Sequence, residues 1–308
     1  MSYANQAMYS RRQFGRVALA AVPLPMMGAK IESRVEGVQF GLQSYSFNAL
    51  PLEGILDVVI ASMVDTGLGE CEIWSPLIEP PELVRQVRAA QDAGQRAQAH
   101  AALGQWRLSV SLDHFRIIRD KFAKAGIEIT AFSASPGSSD EELNRTFEIT
   151  RALGAKIVTL SSPLSIARRV APIAERHDLL VGLQGIPTMH PTNPDQIARP
   201  EHYEEGVALS KNFRITIDVG DAVGGGYDAL KFVQDHHERI FQLFLKDRTK
   251  AGVSVPWGEG DTPIAEILKL IRDQKWPIRG YIDNDYKSPH TRAEDVKRSL
   301  AYAKRVLG

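Results

Sequence analysis

The stretch IFQLFLKDR, Ile240 to Arg248, is a β-rich run whose two faces carry different chemistry. Successive side chains along a strand point to opposite sides, so Leu243 and Leu245 share one face while Gln242, Phe244 and Lys246 share the other. The aliphatic face suits a layer of helices. A face that mixes an amide, a phenyl ring and an ammonium group suits the inside of a closed barrel, where side chains meet across a narrow interior.

Seven more runs have the same character: GVQFGLQSY from Gly37, ECEIW from Glu70, IEITAFS from Ile127, KIVTLS from Lys156, LLVGLQ from Leu179, RITIDV from Arg214 and GYIDND from Gly280. Each is rich in β-branched, aromatic or leucine side chains, as strands are. Between them lie stretches with apolar residues three and four apart, such as LEGILDVVIASMVDTG and TPIAEILKLIRDQK. HFRIIRDKFAKAG and FEITRALGAK reach a glycine just before the next strand, a common helix stop. The segment around 95–112 lengthens the second connection and is expected to form a lid or an extra helix. Eight strands alternating with helices predict an α/β fold of the (β/α)8 TIM-barrel type, which typically needs about 250 residues. An open doubly wound sheet would carry a Gly-rich phosphate loop after its first strand, and FGLQSYSFN has none. The glycines at 224–226 lack the spacing of a nucleotide cradle.

Active sites of such barrels lie at the C-terminal strand ends. Parity turns Asp218 inward on strand six, Tyr281 and Asp283 on strand eight, Glu72 and Trp74 on strand two, and Gly182 and Gln184 on strand five. With Lys246, these residues predict one polar mouth.

The chain has 308 residues, 37 basic and 37 acidic, and no net charge, which offers no electrostatic attraction to nucleic acid or an anionic membrane. A small neutral or weakly charged ligand fits better. The single cysteine, Cys71, excludes an internal disulfide and lies in an expected strand, where it reads as a small buried hydrophobe. At the N-terminus, SRRQFGRVALAAVPLPMMGAK places Arg11 and Arg12 before a short apolar run and a small-residue exit. That order is a signal peptide, and its form resembles the bacterial twin-arginine export signal. Residues 1–29 are therefore expected to be a leader, cleaved near Ala29, and 30–308 the barrel domain. Export machinery is an expected partner and a periplasmic or otherwise exported location is expected. No apolar run approaches the roughly 20 residues that a transmembrane helix needs.

The sequence ITIDVGD, then FLKD, VPWGEGDTPI and YIDNDY, with GVQFGLQSYSF and CEIW at the front, resembles the sugar phosphate isomerase/epimerase family with its xylose isomerase-like TIM barrel. The resemblance runs over nearly all of the expected mature chain. It implies one Mn or Mg ion at the barrel mouth, held by a Glu after strand five, an Asp ending strand six, a His on strand seven and a Glu on strand eight, with the two Glu as acid and base. The matching positions here are Gln184, Asp218, Phe244 and Asp283. A phenyl ring ligates no cation, and an amide exchanges no proton at ordinary pH. Asp218, Asp283 and Gln184 with waters are thus expected to hold a divalent cation weakly, with no tightly bound cofactor.

Other groups are candidates to carry chemistry. Asp218, Asp221 and Asp283 would raise one another's pKa values if close, giving an acid and a base. Lys246 would stabilise an oxyanion, or instead pair with Asp247. His190, in the loop GIPTMHPTNP, titrates in the range useful for proton transfer. Asp221 is alternatively a helix cap, Glu72 a substrate contact or a structural acceptor, and Trp257 a sugar-stacking platform or a lid anchor. Together these residues predict an exported sugar isomerase or epimerase-like enzyme acting on a sugar or keto-sugar. The alternatives are a lyase or hydrolase of 3-keto-glycosides, and a non-catalytic carbohydrate-binding accessory protein. Replacing Arg11 and Arg12 together by Lys is expected to retain the full-length precursor in the cytoplasm, read by fractionation and N-terminal sequencing of the exported form.

Overall fold

A computed structural model describes residues 29–135, 137, 139–186 and 193–308. The expected leader, apart from Ala29, and His190 lie outside the described residues. The eight expected strands all form: β1 (Val38–Gln43), β2 (Glu70–Trp74), β3 (Glu128–Ala134), β4 (Ile157–Ser161), β5 (Leu180–Gln184), β6 (Phe213–Asp218), β7 (Ile240–Leu245) and β8 (Arg279–Ile282). Each pairs in parallel with its sequence neighbour, and β8 pairs with β1 to close the barrel. The protein is a (β/α)8 barrel.

Side-chain parity separates two cores, as the alternation of IFQLFL predicts. Leu243 and Leu245 of β7 join Ile73, Leu183, Ile215, Ile217 and Ile282 in the large core between strands and helices. Burying each such side chain contributes about 1.5–3 kcal/mol. Phe244 instead joins Ala131, Ile157 and Tyr281 in a small cluster inside the barrel. The Tyr281 hydroxyl is hydrogen-bonded to Thr130 and lies 3.4 Å from Glu70 Oε2. Glu70 in turn accepts from Arg279 Nε at 3.1 Å and pairs with Lys30 at 3.5 Å, so polar groups seal the end away from the mouth.

The outer helices follow the sequence periodicity. Ile55–Thr66 ends at Gly67, whose φ of 80° takes the left-handed turn that glycine allows. Asp140–Ala152 begins with a capping box in which Ser139 and Glu142 each satisfy the other's backbone N–H. The long second connection forms three helices, Pro81–Ala89, Ala93–Ser109 and Leu112–Lys124, so the segment around 95–112 is an extra helix. Among the described residues, no helix is long and apolar enough to cross a membrane.

Interior space is limited at β1. A Cβ on Gly41 would stand 2.3 Å from the Tyr281 ring and 2.8 Å from the backbone oxygen of Glu70. Gly41→Ala is therefore expected to destabilise the protein by about 1–3 kcal/mol through overpacking, measured by urea denaturation.

Candidate active site

Three strand ends converge on one ammonium group. Lys246 follows β7 directly and is 5% exposed. Its Nζ lies 2.8 Å from Asp218 Oδ2 at the end of β6, 3.3 Å from Asp283 Oδ2 and 3.2 Å from Asp285 Oδ2, both after β8. A second cation, Arg248, is 2.8 Å from Asp221 Oδ1 and 3.4 Å from Asp285 Oδ2. Four carboxylates thus face two cations.

Local backbone chemistry sets these positions. Asp218 ends β6 and caps the helix Val219–Gly224, its Oδ1 accepting from the N–H groups of Gly220 and Asp221 at 2.9 Å each. Gly220 is required there, because a Cβ would come within 2.6 Å of the Lys246 carbonyl oxygen. The Asp283 N–H donates to the Leu245 carbonyl at 3.1 Å, which carries the pairing of β8 with β7 one residue further and aligns Asp283 with Lys246. Asp247 points the other way. Its carboxylate accepts from the N–H groups of Gly258, Gly260 and Thr262 at 2.7, 3.1 and 3.2 Å. The expected Lys246–Asp247 pair is therefore replaced by two separate roles: Lys246 faces the barrel mouth, and Asp247 anchors the PWGEGDT loop.

Above this cluster opens a cavity of about 290 Å³ lined by Gln43, Tyr45, Trp74, Ser133, Ala134, Ser135, Ser161, Gln184, Asp221, Phe244, Lys246, Arg248, Asp283 and Asp285. Its ionisable wall comes from the ends of β6, β7 and β8. Neutral polar and aromatic groups from β1 to β5 form the facing wall. Tyr45 and Trp74 meet edge to face with centroids 4.9 Å apart, and Phe244 lies at the floor.

Of the residues singled out from sequence, Asp221, Asp283, Lys246 and Gln184 line the cavity, while Asp218, 2% exposed, lies behind Lys246. Two residues that carried two readings each are placed by their packing. Trp257 is not a wall of the cavity: it is 7% exposed and packs edge to face on Tyr302, so the indole anchors its loop to the last helix. Glu72 is fully buried and accepts a hydrogen bond from Gln242 Nε2, a structural acceptor in the barrel interior and no part of the cavity lining. Sequence reasoning missed Asp285, Arg248 and Tyr45. The i, i+2 spacing of Asp283 with Asp285 in YIDNDY, and of Lys246 with Arg248 in FLKDR, was the available signal.

The electrostatics follow from burial and crowding. Burial pushes the Asp283 carboxyl up to about 7, with Lys246 opposing and Asp218 and Asp285 adding to the rise. Burial and then Asp218 push Asp221 up to about 6, against Lys246 and Arg248. Asp285 is held below its ordinary value, because Lys246, Ser254 and Arg248 together outweigh its burial. Burial opposes the charge on Lys246, yet the carboxylates of Asp218, Asp283, Asp221 and Asp285 hold its pKa well above the ordinary lysine value. Burial pushes Glu72 up to about 8, partly offset by its bond with Gln242.

The cation that the resemblance implies does not fit this donor set. Gln184 is neutral, Phe244 has no donor atom, and the remaining carboxylates already surround an ammonium. Among the described residues, no group of three or more His, Cys, Asp and Glu side chains is arranged to hold a metal ion.

No protein-family model and no curated protein matches the chain. Solved structures do match in fold. A sugar phosphate isomerase/epimerase from Parabacteroides distasonis ATCC 8503 superposes with a TM-score of 0.58 at 17% identity, covering 91% of this chain and 97% of that one. L-ribulose 3-epimerase gives 0.59 at 14% identity, over 88% of this chain and 94% of that one. The IOLI protein, solved with a zinc atom bound, gives 0.60 at 14% identity, over 88% and 98%. At these identities the likeness establishes the barrel fold.

The raised carboxyls make stability depend on pH. Asp221, Asp283 and Glu72 bind protons more tightly in the folded state than in the unfolded chain. Their contribution is complete below the ordinary carboxylate range and is lost as pH rises through about 6, 7 and 8 respectively. The raised Lys246 acts above 10.5 and the lowered Asp285 below 3.8, outside this window. Glu72→Gln, neutral in both states, is expected to flatten the fall in Tm between about pH 6 and pH 8, measured by calorimetry against the unaltered protein.

Proposed function

We propose that the protein is a sugar isomerase or epimerase-like enzyme that moves a proton next to the carbonyl of a small sugar or keto-sugar at the barrel mouth. The observation that carries this reading is Asp283. It is 3% exposed, it lines the cavity, and its Oδ1 has no hydrogen-bond partner among the described residues. A carboxyl that titrates at about 7 takes up and returns a proton at the same pH, the condition for efficient general acid–base catalysis. Asp221, at about 6, is the second such group. The cavity volume fits a monosaccharide-sized ligand, and Tyr45 and Trp74 offer the aromatic surface that sugar C–H faces pack against. The fold neighbours named as a sugar phosphate isomerase/epimerase and an L-ribulose 3-epimerase support the substrate class.

A second reading, a lyase or hydrolase acting on 3-keto-glycosides, is favoured by the one-sided distribution of charge. A two-faced epimerisation needs proton carriers on opposite walls, and among the described residues the wall of Gln184, Ser161 and Ser133 carries no acid. Elimination needs a base and an electrophile on one side. The proposal includes export through the twin-arginine route, supported by the order of charge, apolar run and small residues before residue 30.

Incubation with keto-sugars in D2O, followed by NMR, tests the reaction. Solvent deuterium is expected at the carbon next to the carbonyl, and Asp283→Asn is expected to slow exchange by about 10²–10⁴-fold, mainly in kcat. Release of the aglycone from a 3-keto-glycoside would select the second reading. Sugar binding with neither exchange nor cleavage would sink both and leave a binding protein.

A further inference from the structure

We propose that the Tyr45 hydroxyl is a catalytic group of this site, donating the hydrogen bond that receives the developing oxygen charge while Asp283 carries the carbon proton. The inference deepens the functional reading above and rests on it, because a hydroxyl that acts in proton exchange needs a protein that exchanges protons.

Among the described residues, six titratable side chains line the cavity, and five of them are engaged in ion pairs. Lys246 Nζ has carboxylate oxygens of Asp218, Asp285 and Asp283 within 2.8 to 3.3 Å, one for each of its N–H donors. Arg248 Nη2 is 2.8 Å from Asp221 and 3.4 Å from Asp285. Tyr45 is the sixth, and it stands outside these pairs. Its N–H donates to Gln43 Oε1 at 3.1 Å, its carbonyl accepts from the Asn48 N–H at 2.8 Å, and its ring meets Trp74. Among the described residues, the hydroxyl itself has no hydrogen-bond partner.

The turn that presents the ring is held from several sides. Besides the bond to Gln43, the Trp74 N–H donates to Ser44 Oγ at 2.8 Å and the Asn284 N–H donates to Ser46 Oγ at 2.9 Å. The last of these fastens the turn to the segment that carries Asp283 and Asp285, and the charges of Lys246, Asp283 and Asp285 all act on the phenol. Burial raises the phenol above its ordinary value, with Lys246 opposing and both carboxylates adding to the rise. The hydroxyl therefore keeps its proton at about 7, where Asp283 titrates. A fixed donor of this kind stabilises charge on oxygen without having to reorganise. In the proposed reaction Asp283 takes the proton from the carbon beside the carbonyl. The C–H electron pair becomes the carbon–carbon double bond, and the carbonyl π pair moves to the oxygen that faces the Tyr45 hydroxyl. The phenol keeps its own proton throughout. Return of a proton from Asp283 to carbon reverses both shifts.

Tyr45→Phe separates the hydroxyl from the ring. The ring and its packing on Trp74 remain, and the hydroxyl that is lost had no partner, so the Tm measured by calorimetry is expected to match that of the unaltered protein. Deuterium exchange into a keto-sugar in D2O is expected to fall about 10²–10³-fold in kcat, with KM unchanged. Tyr45→Ala, which also deletes the ring, is expected to raise KM as well. An unaltered kcat in Tyr45→Phe would overturn the inference and leave the ring as a packing surface. A loss confined to KM would do the same, and so would a lowered Tm, which would mark the hydroxyl as structural. No exchange in the unaltered protein would reject the functional reading and the role of Tyr45 with it.

Discussion

A lysine ammonium withdrawn from water is the constraint around which this barrel mouth is organised. A buried charge without opposite charge beside it is strongly destabilising. Lys246 meets that demand with carboxylates from the two strands that flank its own, Asp218 from β6 and Asp283 and Asp285 from the end of β8. Only consecutive parallel strands with all C-terminal ends on one side bring these groups together. The carboxylates outnumber the two cations, and burial keeps water from screening them. The excess is relieved by protons, which is why Asp283 and Asp221 titrate near neutrality while Asp285 stays ionised.

The same strand end holds the surrounding loops. Lys246 and Asp247 are adjacent and point to opposite sides. One fills the centre of the site, and the other gathers three backbone N–H groups of the loop that leads into the helix Ile264–Gln274. Ser46 performs a similar task across the mouth, accepting from the Asn284 N–H at 2.9 Å and so tying the turn after β1 to the segment that carries Asp283 and Asp285. The turn that bears Ser46 also bears Tyr45, so the aromatic wall and the charged wall are mechanically joined.

Much of the site was legible from parity alone. Strand alternation placed Lys246, Asp283 and Gln184 at the mouth, because an aliphatic neighbour on each strand marked the helix side. Lys246 and Asp283 are the first residues past the ends of β7 and β8, where alternation still holds; Asp285 and Arg248 were missed because they lie three residues past Ile282 and Leu245, where it is no longer guaranteed. Trp257 and Glu72 were legible as residues with two readings each, and packing decided between them. The indole met Tyr302, and the carboxyl met the Gln242 amide on the opposite side of the barrel.

The sequence by itself determined the barrel, through eight β-rich runs separated by amphipathic helices, and determined which face of each strand turns inward. These are local properties: side-chain period, turn residues and helix stops act over a few positions. Tertiary structure alone decided that three carboxylates share one ammonium, that two carboxyls titrate near neutrality and that the aromatic wall is Tyr45 with Trp74. Those properties depend on distances between residues up to about 240 positions apart, on how little water reaches them, and on Coulomb forces that become strong only where water is excluded.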